Sequence, residues 1–189
     1  MHFSKKLTGF TLVELVTVIS VISILVMISA PFFSSLLRSS ESNQVFNRFY
    51  PALSDARIQA ATLHYAVGVC GSSNHLNCDN DWNTGALLFI DQNQNRALEN
   101  TETILNYYPT NIKYGQVSWR GAGSNNSQVL LYTAERGRLD MSNGSFRYCA
   151  EENYWHRMII LPKIGSPRRS NDSNGDGIDE TASGVNITC

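Results

Sequence analysis

Charged residues are scarce in this sequence, and one long segment near the N-terminus has none. They make up 16% of the 189 residues, and 15 Lys plus Arg against 16 Asp plus Glu leave a formal net charge of −1. This balance excludes a protein whose whole surface is cationic, although it allows a local basic patch. Thirteen Gly and five Pro are too few for a collagen-like or low-complexity chain, and eight Tyr, eight Phe and three Trp argue against disorder. A folded domain is expected.

The uncharged segment runs from Leu15 to Leu37. It exceeds the roughly 20 residues that a helix needs to cross a bilayer. Lys5 and Lys6 precede it, and basic residues on the short side favour a cytoplasmic N-terminus with the rest of the chain translocated. A cleaved secretion signal is the alternative, but its apolar core would span only about 7 to 15 residues. Glu14 also stands at the start of the segment, where a charge in lipid requires a partner.

The residues from Lys5 to Glu14 read KKLTGFTLVE. This segment resembles the prepilin processing site of type IV pilins and type II secretion pseudopilins. The resemblance implies that a membrane aspartyl peptidase cuts between Gly9 and Phe10 and methylates the new amino terminus of Phe10. It also implies a helix-kinking role for Pro31.

Physical chemistry gives Glu14 and Pro31 separate roles in assembly. The positive amino terminus of a neighbouring subunit would compensate a Glu14 carboxylate in an apolar helix and so set the axial register. Pro31 lacks an amide hydrogen and frees a carbonyl, which allows the helix to bend or melt locally when it moves from lipid into a fibre.

Beyond the uncharged segment, an apolar stripe at helical spacing predicts an amphipathic helix that continues the membrane segment and packs on a sheet. Pro51 predicts a bend or a short break in it. The stripe consists of Phe46, Phe49, Leu53, Ala56, Ala60 and Leu63.

Short apolar runs separated by Asn, Gly and Ser then predict antiparallel strands. The predicted fold is α+β, a long N-terminal pilin helix with a membrane-spanning first half, packed on a C-terminal antiparallel β domain. The expected divisions are a leader (1–9), a transmembrane and assembly helix (10–37), its amphipathic continuation (38–64) and a globular domain (65–189). The predicted strands are Ala66–Cys70, Ala86–Ile90, Thr103–Tyr108, Val117–Trp119, Val129–Thr133, Ser145–Cys149 and Met158–Leu161.

Four cysteines permit three disulfide connectivities, and the sequence alone does not choose among them. Disulfides are expected because the domain is predicted to lie outside the cytoplasm. We favour Cys70 with Cys78, closing a short loop, and Cys149 with Cys189, fastening the C-terminal tail to a strand. Zinc is the competing interpretation, but the chain has no CxxC and its four His are scattered.

The globular region resembles the GspH/FimT group of minor pilins, which includes FimU-like members. The similarity lies in Val69–Ser73, Cys78, Trp82, Gly85, Phe89–Asn93 and Phe146–Cys149. It implies a minor pilin of a type IV pilus that takes part in assembly initiation at the tip, and in DNA uptake or adhesion. The implied partners are other pilins and minor pilins, the prepilin peptidase and an inner-membrane assembly platform. The implied location is the bacterial inner membrane, single-pass with a periplasmic C-terminal domain, and then the pilus. A type II secretion pseudopilin is the alternative.

Two polar stretches resemble calcium loops, and Asn/Asp/Gly turns explain both equally. Asp91, Asn93, Asn95 and Glu102 occupy ligand positions of the first, but Arg96 replaces its turn glycine. Asp172, Asn174 and Asp176 begin the second, which lacks the bidentate Glu at position twelve. No cofactor is expected apart from this calcium alternative. No set of residues indicates catalysis, so an enzyme is not expected.

Basic residues concentrate in one half of the domain. Between Lys113 and Arg169 nine basic residues face four acidic ones, whereas between Cys70 and Ile112 one basic residue faces five acidic ones. Some FimT-like proteins bind DNA through a C-terminal Gly-Arg-x-Arg motif. Here Ser166 replaces the first Arg and Arg168 matches the second, so DNA is a candidate partner at Lys163, Arg168 and Arg169. A solvated basic loop or a contact between pilins is the alternative.

Overall fold

The computed structural model describes residues 9–121, 128–140, 143–152 and 155–189, and the side chains of residues 29–31 lie outside that description. The chain divides into two compact units, with the boundary between Leu37 and Arg38. One helix, α1 (Leu12–Leu63), contributes residues to both units.

Helix α1 continues through Pro51, so the short break predicted there is wrong. Pro51 itself is exposed, whereas Phe49 before it and Ala52 and Leu53 after it are fully or almost fully buried. Packing on both sides of the proline holds the backbone helical despite the missing amide hydrogen.

In the described part of the chain eight strands follow the helix, and the seven predicted runs are all among them. The strands are β1 (Val67–Gly71), β2 (Gly85–Ile90), β3 (Ile104–Pro109), β4 (Gln116–Gly121), β5 (Leu130–Tyr132), β6 (Gly144–Cys149), β7 (Arg157–Leu161) and β8 (Arg168–Arg169). They form two four-stranded antiparallel sheets. The first has the order β3-β2-β1-β5 and the second the order β4-β6-β7-β8.

The hydrophobic core lies between the globular part of α1 and both sheets. The predicted stripe supplies Phe49, Leu53, Ala56 and Ala60, all buried, while Phe46 is half-buried. Phe146 on β6 lies 4.9 Å from Phe49 between ring centroids. The α+β architecture is therefore confirmed, a long N-terminal helix packed on antiparallel sheets. The remaining members of this cluster include Val67, Val69, Trp82, Ala86, Leu88, Val117, Trp119, Leu130, Tyr132, Tyr148, Ile159 and Leu161.

The second sheet has two chemically different faces because side chains alternate along each strand. Its inner face carries core residues such as Trp119, Phe146 and Ile159. Its outer face carries the residues between them, including Arg120 and Arg147. The second sheet therefore packs its inner face into the core and presents arginines on its outer face.

Candidate functional site

The apolar side chains in the N-terminal half of α1 are exposed. Every side chain from Thr11 to Ile28 is exposed, and Phe10 is 87% exposed. A window of this helix with mean hydropathy 2.5 is long and apolar enough to cross a membrane by length and composition. Such a surface requires lipid or other apolar helices around it. Gly9 and Phe10, the predicted processing residues, lie immediately before this helix.

Glu14 takes part in a local capping arrangement with Thr11. The amide of Glu14 donates to Thr11 Oγ1 at 3.2 Å, and the amide of Thr11 donates to Glu14 Oε2 at 3.4 Å. This reciprocal pair is a capping box at the start of α1, since Leu12 is the first helical residue. The Thr-x-x-Glu spacing of Thr11 and Glu14 is the sequence signal for this capping box. Pro31, the other predicted assembly residue, has its side chain outside the described part.

A second carboxylate in α1, Glu41, was missed from the sequence and is 3% exposed. It accepts hydrogen bonds from the amides of Lys113 and Tyr114 at 2.8 and 2.9 Å and from the Tyr148 hydroxyl at 3.1 Å. Arg48 lies 3.7 Å away. These contacts satisfy a buried charge and tie α1 to the second sheet. The available signal was its position eight residues before Phe49, on the buried stripe.

Both disulfides in the structure are those favoured from the sequence. Cys70 pairs with Cys78 across eight positions and closes a short loop after β1. Cys149 pairs with Cys189 across 40 positions and attaches the C-terminal residue to the end of β6.

The structure separates the three basic residues that were predicted to bind DNA. Arg168 and Arg169 are neighbours on β8 and therefore point to opposite faces. Arg169 lies over the Phe46 ring at 4.7 Å and donates to Asn47 Oδ1 at 2.5 Å. Lys163 is exposed in the preceding turn. Arg168 and Arg169 are both exposed, but as neighbours on a strand they do not share one face.

Strand register instead places Arg168 in a row with another arginine across the second sheet. Arg120 is opposite Ser145, Ser145 is opposite Ile160, and Ile160 is opposite Arg168. Arg147 lies two residues after Ser145 on the same face. Arg120, Arg147 and Arg168 together line an open cavity of about 450 Å³. The sequence alone does not single out Arg120 and Arg147, because their alignment with Arg168 depends on the register of the strands.

Acidic residues after β8 divide into buried and exposed pairs. Asp179 and Glu180 are 8% and 5% exposed, and they accept hydrogen bonds from Ser170 Oγ at 2.6 Å and from the Ser173 amide at 2.8 Å. Asp172 and Asp176 are exposed. Two of the four acidic residues that follow β8 are therefore buried and hydrogen-bonded within the fold.

Neither calcium-like loop gathers a metal-binding cluster of His, Cys, Asp or Glu within the part of the chain that the structure describes. Asp172 accepts from the amides of Gly175 and Gly177 at 2.7 and 2.8 Å, and Asp91 accepts from those of Asn95 and Arg96 at 3.1 and 2.9 Å. These contacts are those of polar turns. Arg96 has a φ of 62° at the position where a calcium loop carries Gly.

The three histidines among the described residues have separate structural contacts. His64 Nδ1 lies 3.1 Å from the Thr62 carbonyl, and His75 stacks on Tyr107 at 3.7 Å between ring centroids. His156 Nδ1 accepts from the Ala150 amide at 3.2 Å. Burial, with the charges of Arg147 and Arg157, lowers the pKa of His156. These contacts indicate packing and not a shared site.

One family model and two solved structures are similar to this chain. A family model described as Type II transport protein GspH matches residues 46–165. Two crystal structures of the type IV minor pilin FimU from Pseudomonas aeruginosa (PAO1) are similar. One, in space group P65, has a TM-score of 0.46 at 14% identity over 70% of this chain and 91% of that chain. The other, in space group P21, has a TM-score of 0.47 at 15% identity over 75% and 92%. No curated protein matches the chain significantly.

The family assignment rests on the family model and not on the distant structural likenesses. The matched segment begins in the amphipathic part of α1, contains β1 to β7 and both members of the short disulfide, and ends just before β8. It spans well over half of the sequence. The chain therefore belongs to the GspH family of pseudopilins and minor pilins.

Proposed function

We propose that this chain is a minor pilin that takes part in assembly initiation at the tip of a type IV pilus. The observation that carries the proposal is the uncovered apolar surface of α1 from Thr11 to Ile28, with Glu14 near its start. Lipid covers this surface before assembly and the helices of other pilins cover it afterwards. The globular unit has its own core and remains outside the membrane.

Processing between Gly9 and Phe10 follows from the same proposal. A prepilin peptidase removes the leader and methylates Phe10. The mature subunit is then anchored in the inner membrane with its C-terminal domain in the periplasm. An inner-membrane assembly platform then transfers it into the fibre beside other pilins. Mass spectrometry of the mature protein tests this step, because it should find a methylated Phe10 at the N-terminus. A mature chain that begins after Ala30 would instead identify a secretion signal.

A pseudopilin of a type II secretion system is the rival function, and the name of the matching family favours it. Such a fibre is a short piston for protein export. Deletion of the gene separates the two functions. Loss of piliation with intact protein secretion supports the pilus, whereas intact piliation with lost secretion assigns the chain to the piston.

A DNA receptor role is the second candidate. It is favoured by the solvent exposure of Lys163 and Arg168, whose positive charges could contact a phosphate backbone. Contacts to phosphates from Lys163 and Arg168 would be independent of sequence and steeply dependent on salt. A mobility shift at low salt tests it. Binding that survives Lys163→Gln with Arg168→Gln, or no binding at all, contradicts this role.

A further inference from the structure

The outer face of the second sheet carries the cavity lined by Arg120, Arg147 and Arg168, here called the arginine groove. The three side chains come from β4, β6 and β8. Strands in a sheet are about 4.8 Å apart, so the backbones of Arg120 and Arg168 are about 14 Å apart with β6 and β7 between them. The groove therefore presents three cationic groups at intervals along a surface and not at one point.

The arginines of the groove are not held in ion pairs within the described part of the chain, and the acidic side chain that lines a neighbouring cavity together with Arg168 is the buried Glu180. Among the described residues, none of the three arginines forms a salt bridge, whereas Arg38, Arg48, Arg96 and Arg157 each do. No Asp or Glu is among the described residues that line the cavity. Arg147 donates one hydrogen bond, at 2.8 Å, to the carbonyl of Thr188. A guanidinium has five N–H donors, so Arg147 is held in place with donors remaining.

The rest of the lining, as far as the structure describes it, is polar and uncharged or apolar and contains no aromatic side chain. Asn143, Ser145, Thr181 and Ser183 offer side-chain hydrogen-bonding groups on two sides. Met158, Ile160, Leu161 and Pro162 supply apolar surface. This combination suits a ligand that has anionic groups, many hydroxyl groups and one apolar face.

We propose that the arginine groove binds an acidic oligosaccharide, with carboxylates of uronic acid residues paired to the arginines. A guanidinium pairs with a carboxylate through two parallel hydrogen bonds. Hydroxyl groups of the sugar meet the Ser, Thr and Asn side chains, and the apolar face of a sugar ring lies over Ile160 and Pro162. A cavity of about 450 Å³ lies within the size range of ligand sites.

Other polyanions fit the groove less well. A nucleic-acid duplex is rigid over the dimensions of this domain and presents its phosphates on a convex surface. It would not follow a concave groove to Arg147, which is half-buried. Sites for single strands stack bases on aromatic side chains, and this lining has none. An acidic peptide lacks the hydroxyl groups that the lining could bind.

The test uses the full chain in detergent micelles and a fluorescently labelled oligogalacturonate, with fluorescence anisotropy as the readout. Methyl-esterified oligogalacturonate is the ligand control, because it keeps the sugar and loses the charge. Arg120→Gln and Arg168→Gln remove one charge each from the groove. Arg138→Gln is the matched protein control, because Arg138 is exposed and does not line the groove. Circular dichroism checks that each variant is folded.

The expected result is binding of the acidic probe, with loss of about tenfold in affinity for Arg120→Gln and for Arg168→Gln. Arg138→Gln should stay within about twofold, and the methyl ester should not bind. Absence of binding, equal weakening by Arg138→Gln or equal binding of the ester would overturn the proposal. Polyglutamate or DNA binding more tightly than the acidic probe would assign the groove to another class of ligand and also overturn it. None of these outcomes depends on which fibre carries the subunit.

Discussion

The hydroxyl of Tyr148 donates a hydrogen bond to the carboxylate of Glu41 at 3.1 Å, joining α1 to the second sheet. Both residues are almost fully buried, and two backbone amides share the same carboxylate. The contact lies between residues 107 positions apart in the chain. It holds the start of the globular part of α1 against the β6 strand.

Loss of Glu41 should destabilise the globular unit more than loss of Tyr148. Glu41→Ala leaves two amides and a hydroxyl without their acceptor and should cost about 3 kcal/mol or more, whereas Tyr148→Phe removes one hydrogen bond and should cost about 1 kcal/mol. Urea unfolding of the full chain in detergent, followed by Trp fluorescence, measures both. Glu151→Ala is the control, since Glu151 pairs with Arg38 at the exposed surface and should cost under about 1 kcal/mol. Equal costs for all three variants would contradict a structural role for Glu41.

Stability should fall steeply at alkaline pH. Burial raises the pKa of Tyr132 and Tyr148 well above 10, and the Glu41 carboxylate adds to the shift at Tyr148. Above about pH 10 the unfolded chain loses phenolic protons that the native chain keeps, so unfolding is favoured as pH rises. The contribution of each tyrosine rises through this range and approaches about 1.4 kcal/mol per pH unit only well above pH 10.

Urea midpoints between pH 8 and pH 11 test this dependence. Tyr148→Phe should make the decline shallower, because one of the phenols whose pKa the fold raises is gone. A slope that is the same in Tyr148→Phe and in the unsubstituted chain would show that Tyr148 is not kept neutral by the fold.

The two disulfides should differ in their contribution to stability. A disulfide restricts the unfolded chain by an amount that grows with the logarithm of the loop length it closes. The separations of eight and 40 positions give about 2.5 kcal/mol for Cys70–Cys78 and about 4 kcal/mol for Cys149–Cys189. Paired Cys→Ser variants, compared by urea unfolding, measure the difference, and non-reducing peptide mapping establishes the pairs. A Cys70 to Cys149 linkage would contradict both the structure and this ranking.

The local sequence pattern predicted most of the fold, because apolar residues at helical spacing and in short runs indicate which side chains are buried. Strand β8 was not predicted because Arg168 and Arg169 have no apolar alternation, and only pairing with Ile159 and Ile160 makes them a strand. The same register decides that Arg168 joins the arginine groove and Arg169 stacks on Phe46. Contacts between residues far apart in the chain, such as the hydrogen bond between Tyr148 and Glu41, cannot be predicted from the local sequence pattern.

Glu14 offers a test that separates helix capping from charge pairing during assembly. Glu14→Ala removes both the hydrogen bond to the Thr11 amide and the carboxylate charge, so it should insert into the membrane yet fail to enter the fibre. Glu14→Gln keeps an acceptor for the cap, because Gln also serves in a capping box, but it has no charge for the amino terminus of a neighbouring subunit. Fractionation of membranes and sheared fibres, quantified by immunoblot, measures incorporation.

Both variants should reach the membrane at normal levels and be absent from fibres if the charge sets the register. Recovery of fibre incorporation by Glu14→Gln alone would assign the function of Glu14 to the cap with Thr11. Normal incorporation of Glu14→Ala would remove both roles while leaving the family assignment intact, because that assignment rests on residues 46–165. Thr11→Val completes the design, since it deletes the Oγ1 acceptor of the Glu14 amide and keeps the charge. It should assemble if register depends on charge.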